Sequence, residues 1–241
     1  MKFNDIIWNQ KNYQQFLNYL DSLIEEPYRK FQQGLILDGK PLRGIRTPVL
    51  QTIAKNIVTG DYKAFLAINK MDSYEEILLY GLVIAKANMT FSEQLNYLES
   101  FIFYIDNWAV NDIVCSSLKS FQKHQEDGLR RIDSYLHSNN PWSIRFGLVL
   151  LLSHYINDTY IDTVLKLSNT IQSDEYYVKM ANAWLISICY IKYKEKTNVF
   201  LKETTIDNWT FHKAISKIRD SKRVSNEEKE QLIKLKRDYI R

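Results

Sequence analysis

The sequence predicts an all-α protein: a curved solenoid of paired helical repeats. Three observations predict it. Apolar residues recur at helical spacing in one segment after another, and no segment alternates long enough to insist on a strand. Only 7 Gly and 4 Pro occur in 241 residues, which leaves few tight turns for a multistranded sheet. The helices pair into hairpins that return every roughly 35–40 residues, the rhythm of a helical array whose concave face is the usual ligand surface.

The elements follow in order. Ile6, Ile7, Tyr13, Phe16, Leu17, Leu20 and Leu23 predict an amphipathic helix over 6–26, closed by Pro27. Tyr28-Arg29-Lys30-Phe31 opens a short basic-aromatic turn, and 34–46, with three glycines and Pro41, reads as a loop. Thr47 before Pro48 predicts an N-cap with proline at the first helical position, and Gly60 a C-cap residue. Helices are then expected over 62–68, 74–87, 92–105, 107–121, 125–138, 143–155, 159–168, 176–193, 198–201, 208–218 and 225–240. The array is expected to form one domain over 1–241.

Composition narrows the function. Apolar residues at 45% and charged residues at 25% are the usual globular mix. Cys115 and Cys189 lie in apolar runs with no ligand spacing, which predicts reduced core thiols. With no leader composition at Met1-Lys2-Phe3 and no run of membrane-spanning length, a cytoplasmic protein is expected. Residues 208–241 hold ten Lys/Arg against five Asp/Glu, while the rest of the chain is close to neutral. A polyanion-facing C-terminal end or a solvated basic helix both fit that asymmetry.

No glycine-rich phosphate loop, G-x-S-x-G or clustered metal-ligand spacing is present, and His124, His137, His154 and His212 are scattered. No metal and no cofactor are expected, so any chemistry must come from a carboxylate and aromatic rings. Trp108 and Asp112 are four apart and share a helix face. An indole beside a carboxylate suits a flat cationic partner. A capping Asn107, a core tryptophan and a paired surface acid explain the same stretch. Arg145 interrupts an apolar run and needs an acid or a phosphate. Trp184 stands among Ala181, Asn182 and Ala183, small enough to let something approach the ring, and it fits a core position equally well. Lys213, Lys217, Arg219, Lys222 and Arg223 are spaced along one helix edge and the turn after it.

The order of Gly44-Ile45-Arg46-Thr47-Pro48, Asn107-Trp108-Ala109-Val110-Asn111-Asp112, Pro141-Trp142-Ser143-Ile144-Arg145, Ala181-Asn182-Ala183-Trp184 and Lys213 to Ser221 resembles the AlkD-type DNA alkylation repair glycosylases. The resemblance spans roughly residues 10–225. It implies a right-handed α-α superhelix of HEAT-like or ARM-like helical repeats with a concave basic face, and a DNA glycosylase removing N3- or N7-alkylated purines without flipping the base, acting as a monomer on double-stranded DNA. It implies that Asp112, Trp108 and Trp184 are catalytic, in a cleft for the alkylated nucleotide. It further implies that Arg145, Tyr28, Thr47, Lys213, Lys217, Arg219, Lys222 and Arg223 contact DNA. The chain departs from the pattern at Asn107, where an aromatic is common, and at Asn111, where a small or apolar residue is usual. Alternatives are a non-catalytic relative binding branched or damaged DNA, and a helical scaffold for another protein.

Overall fold

The structure is a computed structural model that describes residues 3–36 and 39–239. The described residues hold a short 3-10 turn, Phe3–Asp5, and fifteen α-helices, with no strand. Their contacts cluster in two compact units, Met1–Ser120 and Phe121–Arg241.

The first unit contains α1 (Gln10–Asp21), α2 (Glu26–Leu35), α3 (Thr47–Ile57), α4 (Tyr62–Ile68), α5 (Tyr74–Lys86), α6 (Phe91–Ile102) and α7 (Trp108–Ser117). Alternate helices are neighbours: α3 packs on α5, and α5 on α7. This is how stacked hairpins bury their apolar faces, each repeat completing the next one's core. The sequence of α5 explains its central place. It is apolar almost all round and buried from Tyr74 to Ile84, whereas an outer helix such as α1 buries one stripe of Tyr13, Phe16 and Leu20. Gly81 sets the α5 approach. A Cβ there would lie 2.5 Å from Val114 Cγ2 of α7 and 2.7 Å from Phe101 Cζ of α6.

Two acids open the otherwise apolar α5, and both are buried. The Glu75 carboxylate accepts the backbone N–H groups of Arg43 at 2.9 Å, Gly44 at 2.8 Å and Ile45 at 3.2 Å. Gly44 needs its glycine, with φ +93 and the Arg29 Cβ 2.5 Å from where a side chain would start. The Glu76 carboxylate accepts from the Tyr13 hydroxyl at 2.6 Å, Ser73 Oγ at 2.7 Å and the Arg43 guanidinium at 3.4 Å. Burial, and then the hydrogen bond to Glu76, holds the Tyr13 phenol well above its ordinary range. The network ties α1, α5 and the segment entering α3 together.

The second unit contains most of α8 (Ser120–Lys123), then α9 (Gln125–Leu136), α10 (Pro141–His154), α11 (Ile161–Asn169), α12 (Tyr176–Lys192), α13 (Lys194–Glu203), α14 (Asn208–Asp220) and α15 (Asn226–Asp238). The alternation recurs: α10 packs on α12, and α12 on α14. Burial runs unbroken from Arg145 to Leu151 in α10. Ala183, Ile186, Phe211, Ala214, Ile215 and Leu232 join α12, α14 and α15 in one apolar cluster. At the end of the chain, Ser225 and Glu228 close a capping box on α15.

Several boundaries differ from the sequence reading. Pro27 starts α2 rather than ending α1, because proline fits the first helical turn, where an N–H would have no partner. Arg46 is the N-cap of α3 and Thr47 its first residue, so the Thr47 side chain does not cap the helix. The helix expected over 107–121 divides at Leu118 into α7 and α8. Among the described residues no helix is long and apolar enough to cross a membrane. Both cysteines are buried, and burial pushes the Cys189 thiol up to about 12.

Candidate nucleic-acid interface

Trp108 and Asp112 lie in the first turns of α7, both half-exposed, on a helix whose Ala109, Val110, Asn111, Val114 and Cys115 are buried. The entry to the helix is fixed by side chains. Asn107 caps it, accepting the Val110 N–H at 3.0 Å, and donates to Asp106 at 2.7 Å. Asp106 in turn accepts the Lys40 N–H at 2.7 Å. Gly39, at φ +117, presses against that carboxylate, with the Asp106 Cγ 2.9 Å from where a Cβ would begin. The Trp108 indole N–H donates to the Leu35 carbonyl at 3.3 Å, so the end of α2 orients the ring.

Asn111 is fully buried, and its Nδ2 donates to Asp112 Oδ1 at 3.1 Å and, more weakly, to Cys115 Sγ at 3.9 Å. Its own Oδ1 is buried with no hydrogen-bond partner. Asn111, one of the two residues that depart from the resemblance, thus donates to that carboxylate.

Tyr28 and Thr47 belong to the same unit. Tyr28 lies on α2 with the Arg46 guanidinium 4.9 Å from its ring centroid. Arg46 also reaches both oxygens of Glu25 at 2.9 Å, so this cation is partly neutralised within the chain. Thr47 is half-buried at the first turn of α3.

The second unit holds the other predicted residues. Arg145 is only 4% exposed and donates to the Tyr177 carbonyl at 2.7 Å, with its guanidinium 5.9 Å from the Tyr177 ring centroid. Trp184 shares a half-exposed stripe of α12 with Tyr177 and Met180. Its small neighbours serve packing rather than access to the ring. Asn182 bonds Ser168 of α11 at 2.6 and 3.0 Å, while Ala183 lies in the α12–α15 core. Lys213 and Lys217 are one turn apart on α14, both half-exposed. The Lys217 ammonium is pushed below its ordinary range, first by burial and then by the charge of Lys213, with Asp220 opposing the shift and Arg145 adding to it, so three cations and one acid share this region.

The basic edge expected from the sequence is narrower than five residues. Arg219 follows Lys217 by two positions, about 200° round the helix, and its Nε is buried without a partner. Lys222 and Arg223 are exposed in the turn after α14.

Thr47, Trp108, Asp112, Arg145, Trp184, Lys213 and Lys217 all occupy α3, α7, α10, α12 or α14, members of the two alternating stacks. The sequence profile of one family, described as DNA alkylation repair enzyme, matches residues 12–218. The chain belongs to the DNA alkylation repair enzyme family. Membership makes repair of alkylated DNA the setting and DNA the partner class. The family match includes every predicted residue except Arg219, Lys222 and Arg223, which follow its end. A search of curated proteins finds no match.

Sequence reasoning passed over two residues that organise the segments carrying the resemblance, Glu75 and Asp106, and met a third, Asn111, only as a departure from the pattern. Glu75 holds the Gly44 turn, Asp106 anchors the loop before α7, and Asn111 orients Asp112. An acid inside an apolar run was the available signal for Glu75. For Asn111 the signal was a buried-face position, four residues before Cys115.

Proposed function

We propose that the protein is a DNA glycosylase that hydrolyses the N-glycosidic bond of positively charged N3- or N7-alkylated purines. The observation that carries the reading is the pairing on α7 of a half-exposed indole and a half-exposed carboxylate, the latter held by a buried amide. Alkylation makes the purine cationic, so the C1′–N bond can break with its electron pair moving to the base, which departs neutral. Positive charge then grows on the deoxyribose. Asp112 opposes that charge, orients the water that adds at C1′ and takes up its proton. Trp108 supplies an electron-rich ring face beside Asp112, contributing about 0.5–2 kcal/mol towards a cationic nucleotide, and Trp184 offers a half-exposed ring of the same kind on the second unit. Lys213 and Lys217 contact phosphates, which gives sequence-independent and salt-sensitive binding, while Arg145, buried and bonded to the Tyr177 carbonyl, braces the helices from within rather than reaching the DNA as the resemblance implied.

The test is release of 7-methylguanine and 3-methyladenine from methylated duplex DNA. Wild-type protein should release at least one of them. Asp112→Asn should slow release by on the order of a hundredfold, the effect of removing one transition-state contact, with duplex affinity within about twofold of wild type. Binding of duplex without release of either base would refute excision and leave a DNA-binding member of the family.

A further inference from the structure

Four aromatic rings cross the N-terminal ends of α10, α12 and α14 in one continuous stair. Trp142 stacks on Tyr177 at 5.3 Å between centroids and 29° between planes. Tyr177 meets Tyr176 edge-on at 5.3 Å, and Tyr176 meets Trp209 edge-on at 5.7 Å. Tyr176 is 54% exposed and Trp209 37%, the latter the most exposed described tryptophan. The two large rings turned to water, at the ends of the neighbouring helices α12 and α14, are not explained by packing, since the cluster joining α12, α14 and α15 closes without them.

Two lysines flank the Trp209 end of the stair, and the acids beside it, Asp174, Glu175 and Asp207, are exposed to water. Lys179 Nζ sits 5.7 Å from the Trp209 ring centroid, and Lys213 follows Trp209 one turn along α14. Asp174 lies 3.7 Å from Lys179 but is fully exposed, so it competes only weakly with an outside anion. The N-terminus of α12 also lacks a side-chain cap, and with the Val178 and Lys179 N–H groups bonded to the Glu175 carbonyl it is the N–H groups of Tyr176 and Tyr177 that no side chain caps.

We propose that this stair binds unpaired nucleotides of DNA. The reading rests on DNA being the partner class, and it goes beyond base excision. Exposed ring faces beside cations match a strand whose bases have free faces and whose phosphates run alongside. A paired duplex does not offer this, because its base faces are already stacked on one another. The bases stack on Tyr176 and Trp209, while Lys179, Lys213 and the α12 N-terminus take the phosphates.

The experiment compares full-length protein on three undamaged probes: a blunt duplex, the same duplex with a single-stranded adenine tail of about six nucleotides, and the same duplex with an abasic tail of equal length. Fluorescence anisotropy should show the adenine tail raising affinity about tenfold over blunt duplex, and the abasic tail raising it far less. Tyr176→Ser with Trp209→Ser should abolish the gain and leave blunt-duplex affinity and the circular dichroism spectrum unchanged. Tyr176→Phe with Trp209→Phe should retain it. Equal affinities for adenine and abasic tails, or a gain that survives the double serine variant, would overturn the proposal. None of the probes carries a lesion, so loss of the tail effect leaves the excision reading intact, and absence of base release leaves the tail effect intact.

Discussion

Asn111 is the residue whose chemistry most needs explaining, since its amide is fully buried and its Oδ1 has no partner. A carboxylate only accepts, so the amide must turn its NH2 towards Asp112, and the oxygen is left facing the interior. An unpaired buried acceptor costs about 1–3 kcal/mol, which the helix bears where valine would fit the neighbouring apolar packing. Asn111→Val should therefore reduce base release about tenfold, the equivalent of one hydrogen bond to a charged group, while the melting temperature stays equal or rises. A purely structural asparagine would show the reverse, with lower stability and unaltered release; calorimetry beside the release assay separates the two. Trp108 and Asp112 were legible as a pair because helical spacing fixes who shares a face. Asn111 was legible only as an oddity, because whether a polar residue is buried depends on the helix packed against it, here α5.

At the scale of elements, α7 is presented by the close seating of α5, and that seating depends on a missing side chain. Gly81→Ala would place a Cβ 2.5 Å from Val114 Cγ2 and 2.7 Å from Phe101 Cζ, forcing α6 and α7 away from α5. Overpacking of this kind costs about 1–3 kcal/mol, and thermal unfolding should register it as a lower melting temperature. Release should also fall, as the shift reaches the helix carrying Asp112. An unchanged melting temperature would show that the three helices adjust freely. The helices themselves were readable in order because each buries a stripe or a whole surface of apolar residues, and 62–68 matches the observed α4. Boundaries were less readable wherever a proline could end one helix or begin the next, as at Pro27. The small residues around Trp184 misled for a related reason: alanine reads as open space in sequence, whereas Ala183 is filled against from α14.

For the whole molecule, the concentration of basic charge after residue 207 and the alternating stacks were both visible in the sequence, since charge and hairpin rhythm are properties of the chain itself. Which cations share a region was not, because Arg145 and Lys217 are brought together only by the packing of α10, α12 and α14. The burial of both cysteines has a chemical consequence of its own. Reagents that alkylate purine nitrogens also attack thiolates, which are the stronger nucleophiles, so a repair protein with an accessible thiol would be consumed by the agents that create its work. Here Cys115 and Cys189 are fully shielded from water, and the Cys189 thiol, at about 12, stays protonated at neutral pH. Folded protein treated with iodoacetamide at mildly alkaline pH should gain no adduct by intact mass, whereas protein unfolded in guanidinium should gain two. A protein built this way keeps its own sulfur chemistry silent in the alkylating conditions that its family exists to answer.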